Sequence, residues 1–358
     1  MTVDSGKPRI VVVGAGISGA ACAAALAEAG LSCEVVERGR APGGRLASPE
    51  IEGRRVDLGA SYFTVTDPAF DSLVRRWLID GAVRPWTDTV DVFDSSGRRE
   101  PSTGPMRWSA PGGLRSLVRL LLAERSVRTE HAVDRLDHDG SRLRVDDAPV
   151  DVAVLAMPDP QALRLLGDSH APADAPADPP KVTGPCGGAD AIPAARAAAA
   201  DIDYHPVIAV TAGWRTRNWP IADAAFVNDH PVLAFVADDG ARRGDGAAVL
   251  VGHSTPAFAA RHLDRPREAT ARLVSAMREV LGIAGDPSWA SSHPWRFAKP
   301  SGTHGDRAFF LDGGVGLAGD SWCPQGAPRV ESAWLSGTRL GHAIARQWAS
   351  EPELSPVR

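Results

Sequence analysis

The chain has 358 residues, 44 % of them hydrophobic and 23 % charged, with a formal net charge of −5. That is enough chain for one large domain or two interleaved ones, and the mildly acidic balance implies no nucleic-acid partner. No apolar run reaches the length of a membrane span, and Asp4 and Lys7 ahead of the first apolar run leave no signal core; a soluble protein of the cytoplasm is expected. The four cysteines, Cys22, Cys33, Cys186 and Cys323, form no CxxC pair, and no HExxH or Cys/His cluster suggests a metal.

Taken in order, Ile10 to Val13 predicts a short buried strand, and an alanine-rich helix follows from about Ile17 to Ala29. Between them stands Gly14-Ala15-Gly16-Ile17-Ser18-Gly19. Gly14 permits the turn, Gly16 keeps side chains away from a pyrophosphate, and Gly19 lets helix and strand approach. Ile17 and Ser18 open the helix, whose free N–H groups and positive dipole end suit phosphate oxygens. A second strand, Cys33 to Val36, ends at Glu37, 18 residues beyond Gly19. A carboxylate there accepts from ribose hydroxyls and opposes the extra phosphate of NADP. Next comes a basic turn. Arg38 and Arg40 either face solvent or assist the adenosine end, and Gly43-Gly44-Arg45 offers a flexible loop with a fixed cation for a pyrophosphate.

The glycine fingerprint, Glu37 and the Ala41-Pro42-Gly43-Gly44-Arg45 turn resemble the flavoprotein amine oxidase superfamily. Residues 57–64, Asp-Leu-Gly-Ala-Ser-Tyr-Phe-Thr, resemble its renalase branch. That resemblance implies non-covalent FAD, with Gly59 and Ala60 bringing backbone up to the flavin ring and Tyr62 near it. It also implies that the backbone of Val133 meets the adenine.

A helix is predicted over 68–80, a strand over 89–94 turning at Ser95-Ser96-Gly97-Arg98, and a helix from Leu114 to about Glu124. Arg128 to Leu136, Arg142 to Val145, Val150 and Val152 to Ala156 read as strands. Residues 171–200, dense in Ala, Pro, Asp and Gly, read as a flexible insertion, with a short helix in Ala194 to Ala200. Strands are predicted at Val207–Ala212, Val232–Val236 and Val249–Val251, and an amphipathic helix over Arg267–Leu281 ends at Gly282. His293-Pro294-Trp295-Arg296-Phe297 is similar to a His-x-Trp-Arg segment of the renalase branch. The last motif, Val315 to Asp320, reads as strand, glycine, acid, followed by a helix from about Arg329 to Trp348. The resemblance implies that Asp320 holds a hydroxyl of the cofactor, and that the helix start at Arg329 and Val330 faces the flavin's pyrimidine end. Cys323 lacks the context of a flavin-attachment cysteine, and Lys299 reads as a surface residue.

The expected fold is α/β: an FAD-binding, Rossmann-like nucleotide domain (1–81, 105–160, 296–358) interleaved with a mixed-sheet substrate domain (82–104, 161–295). The implied reaction is hydride transfer from a small-molecule substrate to the flavin and then to O2, giving hydrogen peroxide. The substrate class expected is a 2- or 6-dihydro isomer of NAD(P)H. An amine oxidase, a desaturase and a non-redox binding module of the escort-protein type are the alternatives. No triad is needed or offered; Tyr62, His293, Trp295 and Trp322 are the candidate cavity residues.

Overall fold

The computed structural model describes residues 7–94, 96–167, 190–324 and 326–349. The chain begins with β1 (Ile10–Val13), α1 (Ile17–Glu28) and β2 (Cys33–Val36). A small hairpin of β3 (Glu50–Ile51) and β4 (Arg54–Arg55) precedes α2 (Pro68–Ile79). Pro68 starts α2, and the Asp67 carboxylate accepts from the N–H groups of Ala69 and Phe70, as a helix cap does. The long hairpin of β5 (Arg84–Phe93) and β6 (Arg99–Ser109) follows, then α3 (Arg115–Leu121) and β7 (Val127–Arg128).

The strand predicted from Arg128 to Leu136 does not continue. β7 ends at once because Glu130 turns the chain with a φ of 55°. A meander of β8 (Leu136–His138), β9 (Leu143–Val145) and β10 (Ala148–Val150) leads to β11 (Val152–Leu155) and α4 (Asp159–Leu165). Most of the predicted insertion, residues 171–189, lies outside the described residues. Its end does not: α5 (Ala191–Ala199) is an ordered helix. Ala191, Ala195, Ala198 and Ala199 recur at helical spacing and pack into a core, so the small side chains serve close packing there. β12 (Tyr204–Gly213), β13 (Ala224–Val227), β14 (Leu233–Asp238), α6 (Asp239–Arg243) and β15 (Val249–Ser254) come next. Then come α7 (Pro256–His262), α8 (Pro266–Leu281) and β16 (Trp289–Pro300), and finally β17 (Phe310–Asp312), β18 (Val315–Leu317) and α9 (Val330–Ala349).

Two compact units result: Met1–Pro42, Leu120–Asp203 and Gly302–Arg358 in one, Gly43–Arg119 and Tyr204–Ser301 in the other. The boundaries differ from the expected ones. Residues 43–81 belong to the second unit, and α5 and all but the first two residues of α4, expected in the substrate domain, pack in the core of the first.

The first unit is built on a sheet of order β17-β18-β11-β1-β2-β7. All neighbours are parallel except β17. Parallel strands buried on both faces need unbroken apolar runs, which the Val-rich β1 and β11 supply. α1 packs against α9 so closely that the glycines become obligatory: a Cβ on Gly337 would lie 1.9 Å from the Ser18 carbonyl oxygen.

The second unit holds a mixed sheet of order β16-β12-β15-β14-β13-β5-β6, with β16 and β6 at its edges. One face, with Ile208, Val210, Ala212, Val236 and Leu250, forms a core with Leu273, Ala276 and Met277 of α8. Gly282, at φ 65°, ends α8, which the conformational freedom of glycine permits.

Gly337→Ala tests the helix contact. Alanine ordinarily stabilises a helix interior relative to glycine. Here urea unfolding should show a loss of about 1–3 kcal/mol, the cost of forcing a methyl group into a filled contact.

Candidate active site

The loops after β1, β2, β11 and β18 all leave the first sheet at one end, since Val13 pairs with Val36 and Leu155, and Leu155 with Leu317. In an open parallel sheet that carboxyl edge is where nucleotides bind. Gly14 turns with a φ of 106°, and a Cβ there would meet the Ala156 carbonyl oxygen at 2.5 Å. On Gly19 it would meet the Gly14 carbonyl oxygen at 2.0 Å. Gly16 differs: a Cβ there would meet nothing within 4 Å. Two glycines thus serve the fold, and the third leaves open space at the start of α1. No side chain caps that helix, and no acid occupies its first turn beside Ile17 and Ser18, so its N–H groups and dipole suit an anion. Glu37 is held in place by two backbone donors, Ala15 N–H at 3.0 Å and Gly39 N–H at 2.7 Å. Each carboxylate oxygen keeps a lone pair for a ribose hydroxyl. These features fit the dinucleotide end of FAD.

Around the same edge, Arg38 reaches the Gln161 carbonyl oxygen at 2.8 Å, with that amide turned to accept. Val133 follows β7 and packs partly buried against the core. Asp320 is buried just past β18. At the start of α9, the Ser332 hydroxyl accepts from Arg329 N–H at 2.8 Å. The Arg329 guanidinium lies 3.5 Å from the buried Glu331 carboxylate, next to Val330. Trp322 is not a cavity residue here. It is 1 % exposed, inside the first unit's core and stacked on His304 with centroids 3.7 Å apart. Cys22 is a buried free thiol and Cys33 a half-buried one; loss of solvent pushes Cys33 up to about 11 and raises Cys22 as well.

Within the second unit, Gly44 and Arg45 lie in a single 3₁₀ turn. Arg45 donates to the Ala298 carbonyl at 3.1 Å and stands 5.8 Å from the Tyr204 ring centroid. Gly59 has a local packing task. A Cβ on it would lie 1.8 Å from the Arg45 carbonyl oxygen, which also accepts from Ala60 N–H at 3.0 Å. A buried charge network, illegible in the sequence, anchors the extended segment that follows β4. The Asp57 carboxylate accepts from the Ser48 hydroxyl and from Leu114 N–H, and lies 3.1 Å from the Arg243 guanidinium. Asp239 pairs with Arg54, Arg242 and Arg243. Arg242 in turn donates to the Ser61 carbonyl at 3.0 Å.

On the sheet face opposite α8, registers align His293 with Ala209, Ala209 with His253, His253 with Phe235, and Phe235 with Phe226. Alternation along β16 puts Trp295 on the same face as His293, and the two rings meet edge to face at 4.4 Å. The Trp295 indole N–H donates to the Leu58 carbonyl at 2.8 Å. Tyr62 packs on Phe235 and Trp86, each at 6.2 Å. Three of the four expected cavity residues therefore line one face. The structure adds His253, which the sequence reading passed over. Extending the alternation from Val251 by two residues would have found it. Its ring is hydrogen-bonded to the Gly59 backbone, and its Nε2 is buried without a partner. Burial, with the charges of Lys299 and Arg242, pushes its pKa down to about 3. Burial also lowers that of His293.

Among the described residues no group of three or more metal-ligating side chains occurs, and no helix is long and apolar enough to cross a membrane.

Residues 12–77 match the NAD(P)-binding Rossmann-like domain family, and residues 89–344 match the flavin containing amine oxidoreductase family. Renalase of Mus musculus is 23 % identical over 84 % of this chain and 87 % of its own. Polyamine oxidase 1 of Oryza sativa is 51 % identical over 59 residues, 16 % of this chain and 12 % of its own. Cyclohexylamine oxidase from Brevibacterium oxydans has the same fold, with a TM-score of 0.71 at 16 % identity over 95 % of this chain and 99 % of that one. The uncapped helix behind Gly16, the pinned Glu37 and these matches have one reading: the chain belongs to the flavin-containing amine oxidoreductase family, as a renalase-like, FAD-dependent oxidoreductase.

Proposed function

We propose that the protein oxidises 2- or 6-dihydro isomers of NAD(P)H and passes the electrons to O2, giving hydrogen peroxide. The sheet face of Tyr62, Phe235, His253, His293 and Trp295 carries this reading. It presents flat aromatic surface with few polar atoms, which suits a planar, amphipathic dihydronicotinamide. Bound FAD supplies the hydride acceptor and its reoxidation by O2. The chain itself binds and orients. His253 is neutral, and with one ring nitrogen engaged at Gly59 its Nε2 remains an acceptor for a carboxamide N–H. Tyr62 and Trp295 hold the ring plane, and the apolar surroundings exclude water. Position decides the reaction, since a donor carbon must come within about 3–3.5 Å of the acceptor atom.

Anaerobic stopped-flow measurement with the flavoprotein tests this reading. The 2- and 6-dihydro isomers should bleach the flavin much faster than the 4-dihydro isomer or primary amines. Rapid bleaching by amines, with no response to any dihydronicotinamide, would assign the protein to amine oxidation.

Cofactor contacts are tested separately. Gly16→Ala should leave urea stability of the flavin-free protein unchanged and weaken FAD binding by placing a methyl group in the open space at the start of α1. Glu37→Ala should weaken FAD binding about ten- to hundredfold, the worth of a charge-assisted hydrogen bond, and should also lower the stability of the flavin-free protein, since it leaves the Ala15 and Gly39 N–H groups without their acceptor. Acid precipitation should release all of the flavin, as non-covalent binding requires.

His253 predicts a pH effect on stability. Its folded value lies below the ordinary 6.5, so below that pH the unfolded chain takes up a proton that the native ring refuses. Stability present above pH 6.5 is then lost toward pH 3, by about 2 kcal/mol between pH 7 and 5. Urea titrations of the His253→Asn variant should lack that part of the loss.

A further inference from the structure

Arg107, on β6, is 7 % exposed. Its Nη1 donates to the Asp88 carbonyl at 3.1 Å, and the guanidinium stands 5.4 Å from the Tyr62 ring centroid. Its Nε–H is buried with no acceptor. Among the described residues, no further acceptor meets Nη2 and no carboxylate pairs with this side chain. Arg242 and Arg243, equally buried, are matched by Asp57 and Asp239. Arg107 is therefore a buried cation without a counter-charge, an arrangement that costs free energy unless something supplies the anion.

The free donors define what that is. Nε and Nη2 share one edge of the guanidinium, the edge that receives a carboxylate or phosphate through two parallel hydrogen bonds. Gly104 leaves the flank beside Nη2 uncrowded; a Cβ there would stand 3.7 Å away. Trp86, against the same Tyr62 ring, adds a buried indole N–H without an acceptor. Donors without acceptors thus gather around Tyr62.

We infer that Arg107 is a substrate-recognition residue whose Nε/Nη2 edge binds an anionic group, phosphate or carboxylate, of the molecule lying on the Tyr62 face. The inference rests on the proposed function for the identity of that molecule. It disfavours a cationic ammonium next to Tyr62 and favours a nucleotide.

The test uses the flavin-loaded protein and binding alone, without turnover. The chain has two tyrosines, Tyr62 and Tyr204, so 3-fluorotyrosine labelling yields two fluorine resonances, one of them a control. Nicotinamide mononucleotide and nicotinamide riboside differ by one phosphate; benzoate and benzamide differ by the carboxylate charge. In the wild type the anionic member of at least one pair should bind about ten- to hundredfold more tightly. It should move the Tyr62 resonance and leave Tyr204 in place. Arg107→Gln should bring the two members to equal affinity, and Arg107→Lys should keep part of the difference. Equal affinities in the wild type overturn the inference even where no variant folds. So does a preference that survives in Arg107→Gln, or failure of all four compounds to bind. If benzoate outbinds benzamide through Arg107 while neither nicotinamide compound binds, the anion site stands and the proposed substrate falls.

Discussion

Two buried carboxylates and three guanidiniums determine where residues 54–62 run. Asp57 and Asp239, with Arg54, Arg242 and Arg243, tie this segment to the start of α3, to α6 and to the turn holding Ser48. Burying such groups is expensive, and an apolar cluster of equal volume often serves stability as well. What an apolar cluster lacks is direction. A guanidinium that donates to the Ser61 carbonyl admits one position for that carbonyl, and Tyr62 is the next residue. Everything proposed for the aromatic face presumes that Tyr62 stays within reach of Phe235 and Arg107.

The first unit solves the same problem differently. Its recognition edge is set by backbone proximity: Gly14 against Ala156, Gly19 against Gly14, Gly337 against Ser18. Such contacts leave a mark in sequence because one residue type alone fits. That is why the strand, turn, helix and acid at the start of the chain were legible from spacing, down to Glu37. The same holds for Gly282, which ends α8 where periodicity predicts.

The remainder was illegible for identifiable reasons. Asp57 lies 186 positions from Arg243 in sequence, and nothing local says that it meets the Asp239, Arg242 and Arg243 cluster of α6. His253 was lost because the strand was ended at Val251, two residues early. Arg107 reads as an ordinary charged residue between Met106 and Trp108 until its missing counter-charge is seen. Trp322 misled in the opposite direction, as an aromatic beside a cofactor motif that turned out to be core. Composition suggests a short helix in Ala194 to Ala200 but not that it packs into a core, because small residues mark both loops and close-packed helices, and only the packing partner separates the two.

The edges of the second sheet have a bearing on association. A sheet edge offers unpaired N–H and C=O groups to any strand that arrives. β6 and β16, the two edges, each carry two prolines, Pro101 and Pro105 in one, Pro294 and Pro300 in the other. Each proline removes a donor from the row, and the exposed stretch 99–106 adds charge with Arg99 and Glu100. Backbone pairing with another chain is discouraged along both margins. Along these two margins, contacts with another chain fall to side-chain surfaces more than to strand addition.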